Sequence, residues 1–139
     1  MPDKINIFSI WLFLLTLSIC IIILIGGYTR ISDSGLSITE WLPISGIFYP
    51  MSEMQWQEEF NKYKQIDEFM LVNSSMSLNE FKVIYFWEWF HRFFARLIGI
   101  LYLIPMIYLL FMNQIPKKHK IKVFSVGVLL AIQAVIGWY

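Results

Sequence analysis

Trp87-Glu88-Trp89-Phe90-His91-Arg92-Phe93-Phe94-Ala95-Arg96 opens a run that is otherwise apolar as far as Met112. A carboxylate, an imidazole and two guanidinium groups thus stand where a membrane span begins. On insertion scales an ionisable side chain at mid-bilayer costs roughly 2.5–3.5 kcal/mol. Four of them within three turns mark a functional site with internal partners. On a helix Glu88 and His91 are i, i+3, and Glu88 and Arg92 are i, i+4, so they share one side. Arg92 and Arg96 repeat the i, i+4 spacing. Ala95 and Gly99, at i+4 and i+8 from His91, leave a flat slot beneath the imidazole. Such a slot suits a porphyrin edge, since neutral imidazole is a standard axial haem ligand. Guanidinium groups one turn away match haem propionates bidentately. Zinc needs three or four ligands, and this stretch offers two at most. A second reading stands beside the haem site: the same residues form a polar clamp between buried helices.

The rest of the composition agrees with a membrane protein. The chain has 139 residues, of which 58% are hydrophobic, 18% aromatic and only 15% charged. That is too apolar for an ordinary soluble domain. No basic tract is interleaved with aromatic residues, which argues against nucleic acid as a partner. Cys20 is the single cysteine, so neither a disulfide framework nor a covalent haem-attachment motif is available.

Hydropathy predicts an all-α integral membrane fold with three transmembrane helices, at about 5–27, 87–112 and 123–139. The outer loop then covers about 28–86 and the cytoplasmic loop about 113–122. Lys117, Lys118, Lys120 and Lys122 place the second loop inside, by the excess of basic residues in cytoplasmic loops. The segment from Gly26 to Lys82 carries four basic residues against eight acidic ones and belongs outside. The N-terminus is then cytoplasmic. From Ile5 to Thr29 no residue is charged, longer than the apolar core of a cleavable leader. With no Arg- and Ser-rich presequence, the expected location is a bacterial inner (plasma) membrane. The third run is still apolar at Tyr139, so the chain is expected to be a truncated form or one piece of a larger protein.

The outer loop is too long to be shapeless. Ser52-Glu53-Met54-Gln55 fits a capping box, and Trp56, Phe60 and Tyr63 follow at i, i+4, i+7 spacing. This predicts a short amphipathic helix on the membrane surface or against the bundle. Ser77-Leu78-Asn79-Glu80 is a second capping box, from which a helix runs unbroken towards Met112 and projects outward in its first turns. His119 falls among the loop lysines and is expected to be solvated. Arg30, at the end of the first span, has the depth to pair with Glu88 or with a cofactor carboxylate.

Taken together these residues resemble heme A synthase, the membrane enzyme that oxidises a methyl group of heme O to the formyl group of heme A. The resemblance rests on Gly26-Gly27-Tyr28-Thr29-Arg30, Ser34-Gly35-Leu36-Ser37 and Glu40-Trp41. It continues through Trp56 to Lys64, Met76 to Lys82 and Trp87 to Arg92, then Ile115-Pro116 and Gln133 with Gly137-Trp138-Tyr139. It is closest to the proteobacterial and mitochondrial-type branch, because the outer loop lacks the cysteine pair of some other bacterial members. The resemblance implies an eight-helix, pseudo-symmetric bundle of two four-helix halves, of which this chain is an incomplete first half. His91 matches the first of four histidines that bind haem iron axially. Glu88 matches a functionally important carboxylate, here assigned as the catalytic residue that accepts a proton or orients water. Arg92, Arg96 and Arg30 are the expected partners of haem carboxylates. This half is associated with heme O as substrate, and the other half with heme b. Implied partners are the lipid bilayer, the missing C-terminal half or its separate chain, a heme O supplier, an electron donor and a second copy in an oligomer. Oxidation then requires the missing part. A non-catalytic haem-binding or structural membrane module is the alternative, as is a non-functional gene fragment.

Overall fold

The computed structural model describes residues 6–40, 42 and 44–138. Among these the regular structure is entirely helical. The helices are α1 (Ile7–Ile31), α2 (Glu53–Tyr63), α3 (Asp67–Leu71), α4 (Leu78–Phe111) and α5 (Lys117–Trp138), with one 3-10 turn at Ser45–Ile47. Three are long and apolar enough to cross a membrane: Ile7–Ile31, Leu78–Phe111 and Lys117–Gly137. Their apolar side chains largely face outward, with Phe13, Leu24, Phe111 and Leu129 each more than half exposed. In water such surface is an aggregation liability; in lipid it is the solvated face. Hydroxyls on these helices bond back to their own backbone, Thr16 to the Leu12 carbonyl and Ser18 to that of Leu14, each at 2.8 Å. Such back-bonding shields these two hydroxyls from bare hydrocarbon.

α1 continues to Ile31, past the glycine pair, and ends on a left-handed residue. Asp33 has φ 50°, and the Ser34 amide donates to the Thr29 carbonyl at 2.9 Å. The end of α4 repeats the device, with Asn113 at φ 53° and the Gln114 amide on the Leu109 carbonyl at 2.9 Å. Asp and Asn tolerate this region better than other non-glycine residues. α5 starts at Lys117, so the lysines lie in its first turns.

The chain forms two compact units. One runs up to Ile22 and resumes at Phe94; the other is Ile23–Phe93. The core of the first contains Phe8, Trp11, Leu15, Ile98, Tyr102, Leu109, Ile115 and Val123. Two aromatic side chains tie its helices by bonds to backbone: Trp11 Nε1 donates to the Leu101 carbonyl and the Tyr102 hydroxyl to that of Val123, each at 2.8 Å. His119 is half-buried with its ring centroid 5.9 Å from that of Phe8, which replaces the expected solvated position.

The second unit contains the segment between the first two long helices. Ser52 and Gln55 form the capping box of α2, and Ser77 with Glu80 form that of α4. Trp56, Phe60 and Tyr63 turn inward onto Phe81, Ile84 and Tyr85 of α4. α2 therefore packs against the first turns of α4. The Tyr63 hydroxyl accepts from Asn73 at 2.8 Å, which anchors the segment after α3.

Candidate haem-ligand site

Glu88 is 4% exposed and both of its carboxylate oxygens are engaged. Oε1 accepts from Arg92 Nη2 at 2.6 Å, one helical turn on. Oε2 accepts from the Ser37 hydroxyl at 2.7 Å and from the Ile38 amide at 2.9 Å. A buried carboxylate needs several donors, and here it has three. Arg92 also donates to the Ile38 carbonyl at 3.3 Å and the Glu40 carbonyl at 3.4 Å. The Glu88–Arg92 pair thus bolts the turn after α1 onto α4. This is the clamp geometry, with one donor on Oε1 and two on Oε2.

Spacing alone pairs Glu88 with Arg92. It does not supply Ser37 and the Ile38 amide, which sit about fifty residues away in sequence. The usable signal was the motif Ser34-Gly35-Leu36-Ser37, small and polar beside a span that carries a carboxylate. Ser34 is fully buried in the turn, and its hydroxyl meets that of Ser32 at 2.6 Å.

His91 lies one turn from Glu88 and behaves differently. It is half-buried, and neither ring nitrogen is hydrogen-bonded to a described residue. Its Nε2 is turned towards α1 at Gly26, where an added Cβ would lie 3.1 Å from that nitrogen. Gly26 is therefore the glycine that permits close approach; an added Cβ at Gly27 meets nothing within 4 Å. A hydrogen-bonded imidazole would be held in place, whereas this one is held by packing only.

The arginines divide. Arg92 is committed to Glu88 and to two loop carbonyls. Arg30 is exposed in the last turn of α1, where a cation complements the helix dipole; Glu88 takes Arg92 instead of Arg30. Arg96 stands one turn beyond Arg92 on α4, half-buried, in the unit that resumes at Phe94. In that unit Ala95 is exposed and an added Cβ at Gly99 meets nothing within 4 Å, so both small residues face open space. Among the described residues no cluster of three or more His, Cys, Asp or Glu side chains is placed to hold a metal ion. The donor set is thus a single imidazole, which suits one axial position on an iron already held by a porphyrin and not a zinc site.

A buried Glu–Arg clamp beside an imidazole without a hydrogen bond, on a helix long and apolar enough to cross a membrane, defines a helical membrane protein with a polar site. The comparison with known families narrows this class. Residues 9–139 match the cytochrome oxidase assembly protein family, COX15-CtaA, and the chain belongs to it. The heme A synthase of Maricaulis maris is 44% identical over 131 residues, covering 94% of this chain and 38% of that protein. The heme A synthase of Bartonella quintana is 46% identical over 131 residues, 94% of this chain and 37% of its own length. That of Rhodopseudomonas palustris is 39% identical over 138 residues, covering 99% of this chain and 38% of its own. The chain therefore spans well under half the length of the curated relatives it matches. No solved structure matches it.

Proposed function

We propose that this chain supplies the first haem-handling part of a heme A synthase. In this reading it oxidises a methyl group of heme O to the formyl of heme A only together with the further length that its relatives contain. The observation that carries the reading is the His91 imidazole, half-buried on a membrane helix with no hydrogen bond to a described residue. His91 is the axial ligand to the substrate's iron. Ligation through Nε2 requires the ring to swing away from Gly26, and no hydrogen bond opposes that rotation. Glu88 is the residue assigned to accept a proton or orient water, and with Arg92 it holds the Ser37–Glu40 turn against α4 beside the ligand. Exposed Arg30 and half-buried Arg96 are the arginines assigned to haem carboxylates. The location is a bacterial inner membrane with the N-terminus cytoplasmic, supported by the lysines that open α5 and the acidic outer module.

Expression of the chain in membranes supplied with heme O tests the ligand role by absorption spectroscopy. Wild type is expected to carry a haem band that His91→Ala loses. A full band in His91→Ala overturns the assignment. Activity is tested by co-expression with the remaining portion of a relative and chromatography of extracted haems; a well-folded pair that leaves heme O unconverted removes the enzymatic part of the proposal.

A further inference from the structure

Between Glu40 and Glu53 no residue is charged. The described part of this segment is two-sided. Pro50 is buried, and the Tyr49 ring meets Trp89 and Trp56 edge-on at 5.0 and 5.1 Å. The opposite side presents Ile44, Phe48 and Met51 at 78%, 79% and 90% exposure, with Met54 following at 71%. A charge-free ridge of large apolar side chains does not suit an aqueous loop.

Its depth is fixed by α4. Trp89 Nε1 donates to the Ile47 carbonyl at 3.2 Å, and Arg92 holds the carbonyls of Ile38 and Glu40. α4 has 34 residues, about 50 Å at ~1.5 Å per residue. The hydrocarbon core is ~30 Å thick, so about 20 Å of the helix, some thirteen residues, stands outside it. From Leu97 to Phe111 the helix carries no charge, which keeps that end in the core. Counted from Leu78, the outer boundary then falls near Phe90. The anchoring residues Trp89 and Arg92 straddle that level, and tryptophan is the side chain favoured there.

We infer that residues 44–51 form an interfacial wedge that lies in the outer leaflet and inserts Phe48 and Met51 among lipid chains. The partner is the lipid surface itself. The exposed ridge is continuous in chemistry with the lipid-facing side chains of the spans, and its backbone is pinned at the boundary where those begin. The α2 face beyond Glu53, by contrast, carries Glu58 and Glu59 and stays in water.

The test uses the full chain in membranes made leaky to a charged maleimide, with Cys20→Ser as background. Phe48→Cys and Met51→Cys are compared with Glu58→Cys. A thiol in hydrocarbon does not ionise, so positions 48 and 51 are expected to label about tenfold more slowly than 58. Nitroxides at the same positions should be open to oxygen and closed to an aqueous nickel chelate. Labelling at the rate of position 58 shows a solvated loop and overturns the inference. Shielding of positions 48 and 51 from oxygen as well as from the aqueous reagents shows a protein partner in place of lipid, and overturns it equally.

Discussion

Replacing Glu88 by alanine removes the acceptor of three donors at once: Arg92 at 2.6 Å, Ser37 at 2.7 Å and the Ile38 amide at 2.9 Å. Hydrogen bonds to a charged group contribute about 1.5–3 kcal/mol each, which summed naively is too large. Two features reduce the sum. The Arg92 side chain is 31% exposed, so water recovers part of its solvation. The Ser37 hydroxyl has the Ser34 carbonyl within 3.2 Å as a second acceptor. What remains is the cost of a half-buried guanidinium without its carboxylate and an unbonded Ile38 amide, about 3 kcal/mol. At 1.4 kcal/mol per decade this is about a hundredfold in the local opening equilibrium. Hydrogen exchange of the chain in lipid nanodiscs, read on peptides covering 34–40, should show that loss of protection at Ile38. Glu88→Gln keeps the shape and one acceptor oxygen, and should lose only about tenfold. Combining Glu88→Ala with Arg92→Ala should cost less than the two single changes summed, since the double variant leaves no unpaired charge. Unchanged Ile38 protection in Glu88→Ala, within about twofold, would refute the clamp.

Gly26→Ala places a Cβ 3.1 Å from His91 Nε2 and forces the ring to shift by a few tenths of an ångström. Fold stability should fall by about 1 kcal/mol, with a displaced haem band in the spectrum, whereas Gly27→Ala, which meets nothing, should leave the spectrum unmoved. Gly127→Ala drives a Cβ into the Tyr102 hydroxyl, which is tied to the Val123 carbonyl. A loss of about 1–3 kcal/mol in thermal unfolding is expected, and Tyr102→Phe in the same chain should recover part of it. The Ile23–Phe93 unit should also loosen in alkali. Hydrogen bonding to Glu59 raises the Lys62 pKa above 10.5, and burial raises that of Tyr63 above 10.0. Both groups hold their protons more tightly when folded. Their contribution is complete below about pH 10 and is lost as pH rises through the folded values. Near-ultraviolet ellipticity should therefore decline above pH 10, and Glu59→Gln should bring the onset lower.

The parts of this chain legible in its sequence are those set by local periodicity. The apolar runs give three spans because lipid demands continuous helices, and the two capping boxes mark helix starts because each is a four-residue device. Glu88 with Arg92 is likewise a one-turn relation. What escaped is non-local: nothing in the spacing of Ser37 and Glu88 shows that a buried turn will bring them within 2.7 Å. The same limit governs Gly26. A glycine pair near a helix end suggests close packing, yet only the fold shows that Gly26 faces the imidazole and Gly27 faces nothing. His119 makes the opposite point, since lysine neighbours suggest solvation while its ring packs beside Phe8 from a different helix. The clamp and the ligand explanations for the polar cluster, equal on sequence grounds, also separate here. Glu88 and Arg92 bond each other and the turn after α1, so they carry the clamp. His91, half-buried on the same helix, has no hydrogen bond to a described residue, which leaves it available for the proposed ligand role. The two readings are therefore compatible: the clamp fixes the frame beside which the proposed ligand, His91, keeps its freedom.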